Sequence, residues 1–168
     1  HQTDFIVVGG GIWWPWQNPI HGIEEVLKVF DEEDCGKIHW YGKPHSELPT
    51  HKLPDHPRFI LKGHLPLQQY RQNISRATIA LDWMEHNGER EMAISFRQME
   101  YIGAELPILT HPQSPITSYL GDNCWSTYDI QGIVRSLIRN PNLVQEKRVG
   151  VKKVKGLFSS FSFKVSSE

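Results

Sequence analysis

The chain has 168 residues, 39% of them hydrophobic and 22% charged, which suits one domain with a packed core and argues against disorder. A formal net charge of −1 offers no global field to nucleic acid or to an anionic membrane. The apolar runs fall far short of the roughly 20 residues a membrane-spanning helix needs.

In chain order, residues 4–8 form a short apolar run ending in Gly9-Gly10-Gly11, read as a buried strand and a turn. Asn18-Pro19 has the character of a helix N-cap and first helical position. Ile20, Ile23, Val26, Leu27 and Phe30 follow at helical spacing, and Gly36 closes that helix. Residues 37–41 read as a second strand. Residues 42–57 contain four prolines and three histidines and read as a loop. A third strand is expected at 58–61, a short helix at 66–73, and a fourth strand at 77–81 closed by Asp82. After a polar loop, Ser95 caps a helix reaching Ile102, with Gly103 ending it. A fifth strand is expected at 106–109, a weak helix at 115–120 and a short strand near Cys124. Asp129 then caps an amphipathic helix carrying Ile130, Val134, Leu137 and Ile138 on one face.

Strands alternating with helices at this spacing predict an α/β fold: a Rossmann-like three-layer domain with a mostly parallel sheet. The domain is expected over residues 1–145. Residues 146–168 read as a C-terminal tail, basic at first and then rich in Ser and Phe. Cys35 and Cys124 lie far apart without metal-ligand spacing, and read as reduced thiols of a cytoplasmic protein. The histidines show no paired metal-binding pattern, so no bound metal is expected. The chain opens on His1-Gln2-Thr3 and is read as part of a longer protein.

The glycine turn resembles the start of a dinucleotide fingerprint, but Trp14 stands where that motif needs a third small residue. What remains is a glycine turn between strand and helix. It serves either as a tight turn or as a loop whose N–H groups approach an anionic ligand. Trp13, Trp14 and Trp16 follow at once. Three tryptophans are costly to leave in water, so they face either a missing domain or a sugar.

Two stretches carry a family resemblance. One is Val8-Gly9-Gly10-Gly11-Ile12-Trp13, followed by Asn18-Pro19 and a helix. The other is Glu89-Arg90-Glu91-Met92-Ala93-Ile94-Ser95-Phe96-Arg97-Gln98-Met99-Glu100-Tyr101-Ile102-Gly103-Ala104-Glu105-Leu106-Pro107-Ile108-Leu109. Together they resemble the C-terminal, donor-binding domain of bacterial GT-B glycosyltransferases, in the retaining group 1 that includes sucrose and glycogen synthases. The order matches from about residue 4 to residue 141, with 59–66 similar to that group's strand, glycine turn and helix, and Asp129-Ile130-Gln131 similar to the opening of its last helix.

The resemblance implies a hexosyltransferase of polysaccharide biosynthesis, with a nucleotide-diphosphate sugar as donor substrate, no tightly bound cofactor, and an N-terminal acceptor domain outside this chain. It implies that Glu100 accepts the ribose hydroxyls. Glu91 is the candidate catalytic residue beside the donor sugar, though it stands one residue further from Glu100 than the paired glutamates of the group do; a solvated loop carboxylate is the other reading. The helix beginning at Ser95 offers free N–H groups and a positive dipole end to a diphosphate. Phe96 and Arg97 lie in its first turn, where Arg97 serves either as a phosphate ligand or as a surface cation. Gly10, Gly11 and Ile12 would approach the donor by backbone. Tyr41, Gly42 and Lys43, and Lys62, Gly63 and His64, fall at the carboxyl ends of strands and are candidates to cradle the base, largely by backbone. His39, within a strand, reads as structural. The group's basic clamp after the first strand is missing. That departure admits a second class of function, a non-catalytic nucleotide-sugar-binding or scaffolding module.

A donor domain without its partner exposes the face around Trp13, Trp14 and Trp16, and contiguous apolar patches beyond a few hundred Å² promote association. The 168-residue chain is therefore expected to bind nucleotide weakly, to transfer no sugar alone and to self-associate. Sedimentation of the wild type against a variant with Trp13, Trp14 and Trp16 changed to Ser checks this: the variant should be the more monomeric.

Overall fold

The computed structural model describes residues 5–11, 18–42, 53–85 and 95–166, with side chains described as far as residue 157. Ile12, Lys43, Glu91 and the three loop tryptophans lie outside the described residues.

Six parallel strands form one sheet in the order β3-β2-β1-β4-β5-β6. They are β1 (Ile6–Gly10), β2 (Lys37–Tyr41), β3 (Phe59–Gly63), β4 (Ile79–Asp82), β5 (Ile108–Thr110) and β6 (Trp125–Ser126). The helices are α1 (Ile20–Glu33), α2 (Leu67–Ser75), α3 (Phe96–Gly103), α4 (Thr117–Leu120), α5 (Ile130–Arg139) and α6 (Asn142–Ser166). The chain winds outward from β1 to β3, then returns to lay β4 on the other side of β1. That reversal opens a crevice beyond the carboxyl ends of the strands.

The layers follow from the strand period of two. Val7, Ile38, Trp40, Ile79, Leu81 and Leu109 face one side, against Ile23, Val26, Leu27 and Phe30 of α1 and Ile130, Val134, Leu137 and Ile138 of α5. Val8, Tyr41, Ala80 and Ile108 face the other, against Ile74 of α2, Tyr101 and Ile102 of α3, Leu120 of α4 and Val154 of α6. At the solvent edge of the first layer, polar pairs join α1 to α5. Gln131 Nε2 donates to Glu25 Oε2 at 2.6 Å, Arg135 Nη2 to Glu32 Oε2 at 2.7 Å and Arg139 Nε to Glu33 Oε1 at 2.7 Å.

The parallel α/β architecture with helices on both faces is the one the sequence predicts, and most differences are of one or two residues. α1 begins at Ile20, whose N–H is taken by Asn18 Oδ1 at 3.0 Å. Its end is set before Gly36, by Asp34, which adopts the left-handed conformation at φ 52° while Cys35 N donates back to Phe30 O at 3.2 Å. β1 and β3 run two residues further than expected, into Gly10 and Gly63. The boundary placed at 145 falls inside α6, a single helix that carries the basic run. Val144, Val151 and Val154, spaced to share one helical face, are buried along it and Lys152 and Lys153 exposed, so this face joins the segment to the domain.

Phe30 is fully buried, meets Phe5 edge-to-face at 5.8 Å, and lies where a side chain on Gly36 would collide with it. Phe30→Ala should destabilise the domain by about 3–5 kcal/mol, read from chemical denaturation.

Candidate functional site

Three glycines end β1, and each meets a different constraint. A Cβ on Gly9 would stand 2.7 Å from the buried Trp40 ring, so Gly9 makes room for core packing. A Cβ on Gly10 would stand 2.0 Å from the carbonyl oxygen of Tyr41, so here the backbones of β1 and β2 approach too closely for any side chain. Gly11 has φ +121°, and its N–H donates to Tyr41 O at 2.7 Å. One strand further, Gly42 N donates to Gly63 O at 3.0 Å. The carboxyl ends of β1, β2 and β3 are thereby laced side by side.

α3 is brought to these strand ends by Gln98. Ser95 forms a capping box: its Oγ accepts the Gln98 N–H at 3.2 Å and its own N–H donates to Gln98 Oε1 at 3.0 Å. The buried amide of Gln98 also donates through Nε2 to Asp82 Oδ2 at the end of β4, and to Ser114 Oγ at 3.4 Å. The first turn of α3 is thus fastened to the end of β4 and to the segment after β5. Within that turn, the box occupies the N–H of Gln98.

From this seat Arg97 reaches across to β1. Its Nε and Nη2 lie 3.2 Å from where a Cβ on Gly11 would be, and its Nη1 lies 3.5 Å from the Tyr70 hydroxyl. Tyr70 of α2 packs edge-to-face on Tyr41 at 5.2 Å. Burial pushes the phenols of Tyr70 and Tyr41 above their ordinary range and that of Tyr101 well above it, so all three remain neutral hydroxyls near pH 7. Glu100, one turn beyond Arg97, is held by Arg71 of α2. Arg71 Nε donates to Oε2 and Nη2 to Oε1, both at 2.9 Å.

These groups surround an open cleft of about 840 Å³. Of the residues singled out from sequence, Gly42, Gly63, His64, Phe96, Arg97 and Glu100 line it. Gly11 adjoins it through Arg97 and Gly42, Gly10 lies behind Gly11 against Tyr41, and Ser95 is the cap beneath the first turn of α3. Lys62, exposed on β3, is not among the lining residues. His39 lies half-buried within β2, where burial lowers its pKa. Tyr41, a candidate from its place at the carboxyl end of β2, also lines it, and Leu65, Leu67 and Tyr70 complete the wall; the sequence does not mark these three, nor Arg71. Tyr70 and Arg71 belong to a short polar helix with only Ile74 buried, and no local pattern distinguishes them from a solvated face. Among the described residues, no group of three or more His, Cys, Asp or Glu could hold a metal ion, and no helix is long and apolar enough to cross a membrane.

The cleft has two characters. Phe96, exposed to 69%, and Leu67, to 48%, offer apolar surface with Leu65. Arg97, the start of α3 and the Arg71–Glu100 pair offer charge. An ionic group would be drawn to Arg97, a flat apolar ring to the apolar side chains.

No protein-family model matches the chain, and no curated protein matches it in sequence. Solved structures do match in fold. A trehalose-6-phosphate synthase, OtsA, superposes with a TM-score of 0.70 at 6% identity over 95% of this chain and 41% of its own. An α-glucosyltransferase, in complex with UDP and a 13-mer DNA containing an HMU base, gives 0.65 at 11% identity over 100% of this chain and 57% of its own. The UDP-forming α,α-trehalose-phosphate synthase from Burkholderia vietnamiensis gives 0.65 at 9% identity over 99% of this chain and 46% of its own. The fold is thus that of a Rossmann-like domain of GT-B glycosyltransferases, and the chain spans about half the length of the structures it matches, or less.

Because Gln98 bonds several buried groups at once, Gln98→Ala should cost about 1–3 kcal/mol in denaturant unfolding, removing one hydrogen bond to Asp82 and the side-chain half of the cap of α3. Amide exchange should rise at the start of α3 more than in β4.

Proposed function

We propose that this chain is the donor-binding half of a GT-B glycosyltransferase of the retaining group 1, a hexosyltransferase that moves a sugar from a nucleotide-diphosphate sugar to an acceptor held by a second domain. The observation that carries the reading is the meeting of Arg97 with Gly11 at the head of a cleft that also contains Glu100. The described part of the β1 turn, Gly9-Gly10-Gly11, has no basic side chain, and Arg97 brings a cation to that turn from α3. A diphosphate placed between Gly11 and the start of α3 would meet a guanidinium and the positive end of the helix dipole.

In the same reading the ribose lies at Glu100, and the base lies against Leu65, Leu67 and Phe96, near Gly42, Gly63 and His64. The cleft volume of about 840 Å³ is within the range of sites for such ligands. In a retaining transfer, positive charge grows on the sugar as the leaving diphosphate gains negative charge. Arg97 and the α3 N-terminus stabilise that leaving group. Glu91 belongs beside the donor sugar in this proposal, and the acceptor would close over the cleft from the partner domain.

The test is calorimetric titration of the chain with UDP and with uridine. Arg97→Ala should weaken UDP by about tenfold or more, since a hydrogen bond to a charged group contributes about 1.5–3 kcal/mol, and should leave uridine nearly unchanged. Glu100→Gln should weaken both. Equal effects of Arg97→Ala on UDP and uridine, or no binding of UDP by the wild type, would overturn the assignment.

A further inference from the structure

Glu100 meets the cleft with both carboxylate oxygens already engaged. Arg71 Nε and Nη2 each hold one of them at 2.9 Å. This is the parallel two-bond arrangement in which one edge of a guanidinium covers the open face of a carboxylate. The pair is asymmetric: the Glu100 side chain is 10% exposed and that of Arg71 is 55% exposed. The carboxylate is set in the cleft wall, and the guanidinium lies over it from α2. α2 is itself held at the cleft by the edge-to-face contact of Tyr70 with Tyr41.

A carboxylate has about four lone-pair sites, two on each oxygen. One from each oxygen lies on the open face between them, and the other two diverge to the sides. Neighbouring hydroxyls of a pentose are spaced to meet the open face together, as the two N–H groups of a guanidinium edge are. They cannot reach both diverging positions at once. With Arg71 in place, Glu100 accepts one hydroxyl of a pentose and not two. The partner also removes the usual penalty for a missing hydroxyl. A site rejects an analogue lacking a hydroxyl when a buried polar group is left unpaired, and Arg71 keeps Glu100 paired in either case.

We propose that Arg71 sets the pentose selectivity of the cleft: by covering the open face of Glu100 it reduces the carboxylate to a one-hydroxyl contact, so that ribo- and 2′-deoxyribonucleoside diphosphates bind with similar affinity. The proposal rests on the nucleotide reading of the cleft given above and goes beyond it in naming which nucleotides the site accepts.

The test is titration of the 168-residue chain and its Arg71→Met and Arg71→Lys variants with UDP and 2′-deoxy-UDP, comparing the two affinities within each protein. The wild type should prefer UDP by less than about fivefold, and Arg71→Met should raise that preference above about tenfold, as expected when a hydroxyl gains a charged acceptor. Arg71→Lys keeps the charge but loses the planar fork, frees one oxygen and should also raise the preference. Because the ratio is taken within one protein, a general loss of affinity cancels, and Arg71→Lys carries the test if Arg71→Met folds poorly. A wild-type preference above fivefold, or a ratio that neither variant raises, overturns the role of Arg71 while leaving the nucleotide cleft intact. Failure of the wild type to bind UDP overturns the cleft reading itself, and this proposal with it.

Discussion

The Gln98 side chain is a neutral amide with no exposure to solvent, and its oxygen and nitrogen both have to find partners inside the protein. It finds them on two levels, in the cap residue Ser95 of its own helix and in Asp82 and Ser114 at the ends of the sheet. That fixes both the position of α3 and its rotation about its axis. Residues three apart on a helix share a face, so setting Gln98 toward the strand ends sets Arg97 and Glu100 together on the cleft side. Thr110 at the end of β5 joins the same junction, donating to the Asp82 carbonyl at 3.1 Å. The geometry of the cleft is thus inherited from a buried polar contact that is not part of its lining.

The two faces of the sheet divide the work. On one side α1 and α5 enclose large apolar side chains, and their polar pairs lie outside that core. On the other side α2 and α3 contribute fewer buried side chains and place Tyr70, Arg71, Arg97 and Glu100 at the rim. α2 buries Ile74 and otherwise presents polar residues. Stability is concentrated away from the cleft, which leaves the cleft free to hold charges that a core would reject.

The glycine turn illustrates how one short motif serves several needs. Gly9 yields to the Trp40 ring, Gly10 to the Tyr41 carbonyl and Gly11 to the Arg97 guanidinium. The first is a packing constraint, the second a constraint of strand approach, and the third alone concerns the cleft. Reading all three as a ligand loop attributes to function what is in part the geometry of the sheet.

Local pattern determined much of this protein. The alternation of strand and helix, the apolar stripe of α5, the Ser95 cap and the parallel α/β class all follow from spacing and capping chemistry, which act over a few residues and are visible in the chain. The same locality marked Arg97 and Glu100, since they sit at set distances from a helix start. Tertiary structure alone decided the rest. Arg71 meets Glu100 across 29 residues, Gln98 meets Asp82 across 16, and Arg97 meets a glycine from the opposite end of the domain. Lys62 is absent from the cleft lining although it precedes Gly63: the pairing of β2 with β3 skips it, Trp40 facing Leu61 and Tyr41 facing Gly63, and its side chain is exposed. Contacts of this kind depend on strand order and helix rotation, which the sheet imposes only once it is assembled.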